Sequence, residues 1–187
     1  MILYFVRHGQ TEGNIERRYI GRTDEPLCDA GRAGLRNTNW PPVKMVISSP
    51  MRRCVETAEI LYPGQLPLIV HDFRECDFGL FEGMNYQELN GSVEYQKWID
   101  SGGTLPFPDG EGMAAFSLRC TDAFTYVMKT YLADEIDAAA LVVHGGTIMA
   151  IMEKYAVPVK SYYDYQVKNG SGFSMVWDGV NLQHILQ

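Results

Sequence analysis

Four short apolar runs, at 2–6, 44–48, 67–70 and 139–143, set the limits on what this chain can fold into. Each has the length of a buried strand and is far too short to span a membrane. The first follows Met1 with no basic region before it and no small-residue cleavage site after it, so it reads as a strand and not a signal peptide. Segments with helical spacing separate the runs. After Ser49-Pro50, the apolar residues Met51, Cys54, Val55, Ala58, Leu61 and Tyr62 share one helix face, with Ser49 read as its cap and Pro50 as its first position. A second helix is expected to start near Asp109-Gly110 and to bury Met113, Phe116, Cys120, Phe124, Val127 and Tyr131. A third follows Gly145-Gly146 and carries Ile148, Ile151, Met152 and Tyr155. A short, weakly patterned helix after Asp29 stops before Pro41-Pro42. The end of the chain, Phe173 to Trp177, then Asp178-Gly179, then Val180 to Leu186, reads as a hairpin. Buried strands alternating with amphipathic helices predict an α/β fold: a three-layer α/β/α sandwich around a mostly parallel sheet. The stretch from about 75 to 108 is irregular, aromatic and glycine-rich, and is expected to form a small cap insertion over the site within a single domain, 1–187.

A chain of 187 residues buries roughly 70% of its unfolded surface, so it needs no disulfides to support a core. Its four cysteines, Cys28, Cys54, Cys76 and Cys120, show neither a C-x-x-C pair nor a metal-binding spacing. They read as free thiols of a cytoplasmic protein. The net charge of −7 comes without a basic stripe, which argues against nucleic acid or an acidic membrane as partner. An anionic ligand must then be held by a few local cations.

In α/β sheets ligands gather outside the carboxyl ends of the strands. Two histidines fall there, His8 after the first run and His144 after the last, in Arg7-His8-Gly9 and His144-Gly145-Gly146. A single histidine at a strand end is usually structural. Two of them, each followed by glycine and one beside an arginine, suggest an anion site, because glycine admits close backbone approach and a helix start offers free N–H groups. Arg53 points the same way. It lies off the apolar stripe near the start of its helix, where the dipole disfavours a cation unless an anion is shared with it. A metal centre would need a third ligand, and neither His71 nor His184 has the spacing to supply one; no metal is expected.

The segment Arg7-His8-Gly9-Gln10-Thr11-Glu12-Gly13-Asn14 resembles the signature of the histidine phosphatase superfamily, which includes the cofactor-dependent phosphoglycerate mutases. Four further segments match in order: Tyr19 to Asp24 with Pro26-Leu27, Ser49 to Arg53 with Thr57-Ala58, Arg74 to Gly79 with Glu82-Gly83, and Val143 to Gly146. The resemblance implies that His8 is the nucleophile and Glu75 the acid that protonates the leaving oxygen. It implies that Arg7, Asn14, Gly21, Arg53, His144 and Gly145 surround the phosphoryl group, with His144 stabilising it in transfer. Glu82 is the rival acid, read in preference as a carboxylate that orients the cap or pairs with an arginine. Arg18 and Arg22 are secondary candidates, accessory phosphate ligands or surface groups. Glu111 reads as a helix-terminus stabiliser.

The chemistry suits these roles. Phosphoryl transfer needs positioning and charge stabilisation, and covalent capture by an imidazole divides hydrolysis into two easier steps. His8 must keep one ring nitrogen unprotonated, so the other should donate to a backbone carbonyl. Neither metal nor cofactor is implied.

The chain lacks the extra segments of the mutase branch, and Ile20 stands where mutases carry a polar residue, so a phosphatase is expected in preference to a mutase. The run Asn14 to Leu27 looks most like the α-ribazole phosphatases of cobalamin assembly. Tyr19, Phe78, Phe81, Tyr86, Tyr95 and Trp98 are candidate walls for a base-like leaving group, or simply cap core. A broad-specificity sugar or nucleotide phosphatase and a non-catalytic phosphoprotein-binding member are the other readings. The expected partner is a small phosphate ester, met by a monomer or a homodimer.

Overall fold

The apolar runs become neighbouring strands of one sheet. The structure, a computed structural model, describes residues 1–132 and 136–185. Its strands are β1 (Ile2–Arg7), β2 (Met45–Ser48), β3 (Leu68–Ile69), β4 (Ala138–Val143), β5 (Ala156–Val157), β6 (Gly172–Trp177) and β7 (Leu182–His184). Its helices are α1 (Glu12–Ile15), α2 (Asp29–Arg36), α3 (Arg52–Leu61), α4 (Val93–Asp100), α5 (Met113–Thr130) and α6 (Gly145–Tyr155). The sheet order is β3-β2-β4-β1-β6-β7-β5, and β6 alone among the described strands runs antiparallel to its neighbours.

The two-residue period of the strands divides the core. Leu3, Phe5, Leu141 and Val143 point to one face, where they meet Phe124 and Val127 of α5 and Ile148 and Ile151 of α6. Tyr4, Val6, Ala140 and Val142 point to the other and meet Cys54 and Ala58 of α3 and Tyr62 just after it. Strands covered on both faces read as unbroken apolar runs, which is why β1 and β4 stand out in the sequence. The result is a three-layer α/β sandwich. Among the described residues, no helix is long and apolar enough to cross a membrane.

A third cluster gathers Cys76, Phe81, Leu89 and Phe107 with Phe116 and Cys120 of α5. It lies largely within 75–108, which holds a 3₁₀ turn at Gly79–Phe81 and the helix α4.

Three local expectations need correction. The helix after Ser49-Pro50 starts at Arg52, because the Ser49 hydroxyl bonds His144 while Asp24 Oδ1 accepts from Arg52 N at 2.7 Å. Helix α5 starts at Met113 and not near Asp109, because the backbone there is taken by the cap: Leu80 N donates to Pro108 O and Glu111 N to Asp77 O, both at 2.8 Å. Tyr131, just past the end of α5, is exposed. The final hairpin turns over a wider loop than Asp-Gly alone, since Asp178 Oδ1 accepts from both Val180 N and Asn181 N. Leu186, at the far end of that expected strand, lies outside the described residues.

Candidate active site

Adjacent parallel strands deliver the two histidines to one place. β1 and β4 pair in register from Ile2 with Ala138 to Arg7 with Val143, so the residues that follow each strand emerge side by side. The rings of His8 and His144 lie 5.2 Å apart and inclined at 67°. His8 Nδ1 donates to Gly9 O at 2.7 Å, which leaves Nε2 with its lone pair. Burial, helped by the charges of Arg53 and Arg7, holds the His8 pKa well below the ordinary 6.5. The ring is therefore neutral at neutral pH. His144, wholly buried, is shifted the same way by burial and then by Arg53 and His8.

Arg53 is 1% exposed although it lies off the apolar stripe of its helix. Its guanidinium donates to Thr23 O at 2.7 Å, Gly21 O at 2.9 Å and Ile20 O at 3.4 Å, and Nε donates to His144 Nδ1 at 3.3 Å. That last bond fixes the tautomer of His144. With Nδ1 accepting, a neutral ring carries its proton on Nε2 and donates it to Ser49 Oγ at 2.8 Å. Such a ring cannot act as base for Ser49, so this pair is not a serine nucleophile with its histidine. Cys54 Sγ lies 3.5 Å from His144 Nε2, but burial pushes its thiol up to about 12. It is an inert neighbour.

Arg7 donates from Nη1 to Val167 O at 2.7 Å, while its buried Nε has no hydrogen-bond partner among the described residues. A Cβ on Gly145 would sit 3.4 Å from that Nε, so the glycine leaves space beside it. Asn14 is held by its oxygen, which accepts from Thr11 N at 3.3 Å and from Asn169 Nδ2 at 3.0 Å. Its remaining amide donors are what it offers an anion. Gly21 is a forced glycine, since a Cβ there would lie 1.8 Å from Cys76 O.

The Glu75 carboxylate accepts from Cys76 N at 3.0 Å and, at the start of α6, from Gly146 N at 3.2 Å. Burial raises its pKa above the ordinary 4.5, although both N–H groups and the charges of Arg53 and Arg7 oppose the shift. A Cβ on Gly146 would come within 2.3 Å of the carboxylate. The glycine pair after His144 therefore admits the acid as well as an anion.

The secondary candidates separate from this group. Glu82 Oε1 accepts from Gly21 N, Thr23 N and Thr23 Oγ1, which ties it to the loop that holds Arg53. Arg18 pairs with Glu16 and with Glu88, and Arg22 lies 3.6 Å from Asp77. Glu111 does not serve a helix terminus: its carboxylate grips Arg119, two turns into α5, through bonds of 2.9 and 2.7 Å.

Other members were given no role from the sequence, although Thr57 lies in a matched segment. Thr57 Oγ1 accepts from Gly9 N at 2.9 Å and donates to Arg53 O at 2.6 Å, locking the two arms of the site together. Asn169 and Arg119 also belong here. Asn169 sits before a glycine and reads as a turn, and Arg119 reads as a surface residue on a helix.

A cavity of about 440 Å³ opens beside Glu75, Gly145 and Gly146. Tyr19, Phe78 and Trp98 of the expected aromatic walls line it, joined by Phe107, Tyr162 and Tyr163. Phe81 is core, Tyr86 is half exposed, and Tyr95 stacks against Trp98. A larger concavity of about 660 Å³, between α2 and residues 166–170, shares Arg7 but lacks the acid, and His8 lines neither of the two.

The family model of the histidine phosphatase superfamily (branch 1) matches residues 3–184. The chain is 31% identical to phosphoglycerate mutase-like protein 4 of Arabidopsis thaliana over 160 residues, 80% of this chain and 68% of that protein. It is 24% identical to the adenosylcobalamin/alpha-ribazole phosphatase of Salmonella typhimurium, over 91% and 87% of the two chains. The crystal structure of the alpha-ribazole phosphatase from Shigella flexneri shares the fold, with a TM-score of 0.85 at 24% identity, covering 100% of this chain and 95% of that one.

Proposed function

From the premise that this chain belongs to the histidine phosphatase superfamily and is a phosphatase, we propose that it hydrolyses a small phosphate monoester through a phosphohistidine on His8. The observation that carries the reading is the state of His8: Nδ1 spent on Gly9 O, Nε2 free, and the ring kept neutral between two arginines. In the first step Nε2 attacks phosphorus, the bond to the ester oxygen breaks, and the Glu75 carboxyl passes its proton to that oxygen. In the second, water attacks phosphorus, the Glu75 carboxylate takes its proton, and the N–P bond breaks to release phosphate and neutral His8. Arg7 and Arg53 supply the positive charge that the transferring group needs, and His144, its ring nitrogens held by Arg53 and Ser49, anchors Arg53 beside His8. The reaction is expected to continue undiminished in chelator. The four buried free thiols support a cytoplasmic location.

The cavity supports an aromatic, uncharged leaving group held under a cap built from 75–108. Arg7 and Arg18 are its lining cations, and Arg18 is already paired with Glu16 and Glu88, so it offers little to the carboxylate of a phosphoglycerate. With the relatives named as adenosylcobalamin/alpha-ribazole phosphatases, this makes α-ribazole 5′-phosphate the first substrate to test. Phosphate release is measured across α-ribazole phosphate, nucleotides, phosphoglycerates, sugar phosphates and phosphopeptides. The highest kcat/KM is expected for a ring-bearing leaving group. Faster movement of phosphate between positions of phosphoglycerate than release into solution would instead identify a mutase.

The pH profile follows from the two shifts. His8 must be neutral, so activity rises with pH through a pKa held well below 6.5. Glu75 must be protonated for the first step, so kcat/KM falls as pH rises through a pKa lifted above 4.5. The expected profile is a bell, with its acid limb set by His8 and its alkaline limb by Glu75. Glu75→Gln should lower kcat/KM by about 10²–10⁴-fold and erase the part of the alkaline limb due to the enzyme. Substrate ionisation contributes equally in both proteins, so an unchanged limb in the variant would rule Glu75 out as the acid.

A further inference from the structure

The segment that delivers Glu75 leaves a single 3₁₀ turn at His71–Phe73, and its carbonyls are held by side chains from two helices. Arg119 Nη1 donates to Asp72 O at 2.7 Å and to Arg74 O at 3.0 Å, and Nη2 reaches Glu75 O at 3.4 Å. Thr147 Oγ1 of α6 donates to the carbonyl between them, Phe73 O, at 3.2 Å. Four consecutive carbonyls, 72 to 75, are thus claimed from outside the segment. The arginine is in turn fixed by the fork of Glu111, with both partners largely withdrawn from solvent. Glu111 is itself anchored, since its backbone N–H donates to Asp77 O at 2.8 Å. A guanidinium with its carboxylate therefore grips the chain on both sides of Glu75.

We infer that Arg119, oriented by Glu111, is a positioning residue that sets the Glu75 carboxyl against the leaving oxygen. The inference rests on Glu75 being the acid. Arg119 bonds backbone carbonyls and lies outside the cavity wall, so its effect passes through the placement of another group. Misplacement of a catalytic group by about 1 Å costs about 100-fold in rate. Lysine at 119 keeps the charge but cannot span Glu111 and three carbonyls with a single ammonium.

Because an acid matters little when the leaving group is already stable as an anion, the test reads leaving-group dependence. The value of kcat/KM reports the steps up to ester cleavage, so it is measured for Arg119→Lys, Glu111→Gln, Glu75→Gln and wild type. The substrates are phosphate esters graded from p-nitrophenyl to alkyl. Wild type should depend weakly on leaving-group acidity. Arg119→Lys and Glu111→Gln should lose about 100-fold on alkyl esters while keeping their rate on p-nitrophenyl phosphate. A purely structural role would lower both alike. If Glu75→Gln shows no such selectivity, the acid assignment fails. If it does, and folded Arg119→Lys and Glu111→Gln retain the wild-type dependence, the positioning role is overturned. Should Arg119→Lys fail to fold, Glu111→Gln decides the outcome.

Discussion

His8→Ala is expected to abolish turnover, because it removes the only ring nitrogen in the site that is, among the described residues, both unprotonated and unclaimed. His144 offers no substitute: its Nδ1 accepts from Arg53 and its Nε2 donates to Ser49. Loss of the nucleophile of a covalent enzyme costs about 10⁶-fold in kcat. The check is an acid-labile phosphoenzyme, trapped by quenching wild type in steady state and absent from the variant. The variant should still fold, since the imidazole carries one polar bond, to its neighbour Gly9, and no charge is stranded by its loss. Its melting temperature should stay near that of wild type, which separates missing chemistry from a missing fold. A phosphoenzyme formed equally well by His8→Ala would place the nucleophile elsewhere. Turnover by wild type without any acid-labile phosphate would remove the covalent intermediate altogether.

That dependence on a tautomer marks the border of what the amino-acid order discloses. β1 and β4 are legible because strands buried on both faces cannot hide their apolar runs, and the residue after each run must emerge at a carboxyl end. The placement of His8 and His144 follows from that alone. What stays hidden are the partnerships between distant segments. Ser49 looks like a helix cap because serine before Pro50 is a local signal, whereas its real partner lies 95 residues away. Arg119 looks like a surface residue because helical periodicity records which face is apolar and not which carbonyls await a donor. Asn169, in a turn, accompanies Asn14 from 155 residues away. The aromatic residues were legible as a group, but their division between wall and core depends on how the cap folds: Phe81 and Trp98 have the same composition signal and opposite roles.

Arg53→Lys should be nearly as damaging to catalysis as loss of the nucleophile, and more damaging to the fold. A surface arginine exchanged for lysine changes stability by about 0.5 kcal/mol or less. Here the guanidinium serves Ile20, Gly21 and Thr23 carbonyls and His144 Nδ1 from a buried position. One ammonium satisfies at most part of this set, and each buried acceptor left without a donor costs about 1–3 kcal/mol. With two acceptors lost, a cost of about 2–6 kcal/mol at roughly 2–4 °C per kcal/mol lowers the melting temperature by about 4–24 °C. The catalytic loss has a separate origin. An arginine that stabilises a transferring phosphoryl group is worth about 10³–10⁵-fold, and a buried lysine sheds its proton more readily than arginine, so the charge itself weakens. Vanadate, which resembles the five-coordinate transition state, distinguishes the two effects. A ligand that binds the native state at about 100 times its Kd adds about 2.7 kcal/mol of stability. Wild type should show that gain, and Arg53→Lys should show little of it at the same vanadate concentration, even at temperatures where the variant is fully folded. If the variant is destabilised but vanadate protects it as well as it protects wild type, Arg53 holds the loop 20–23 and not the phosphoryl group. If rate and vanadate protection fall together, the carbonyl fork is what aims the charge.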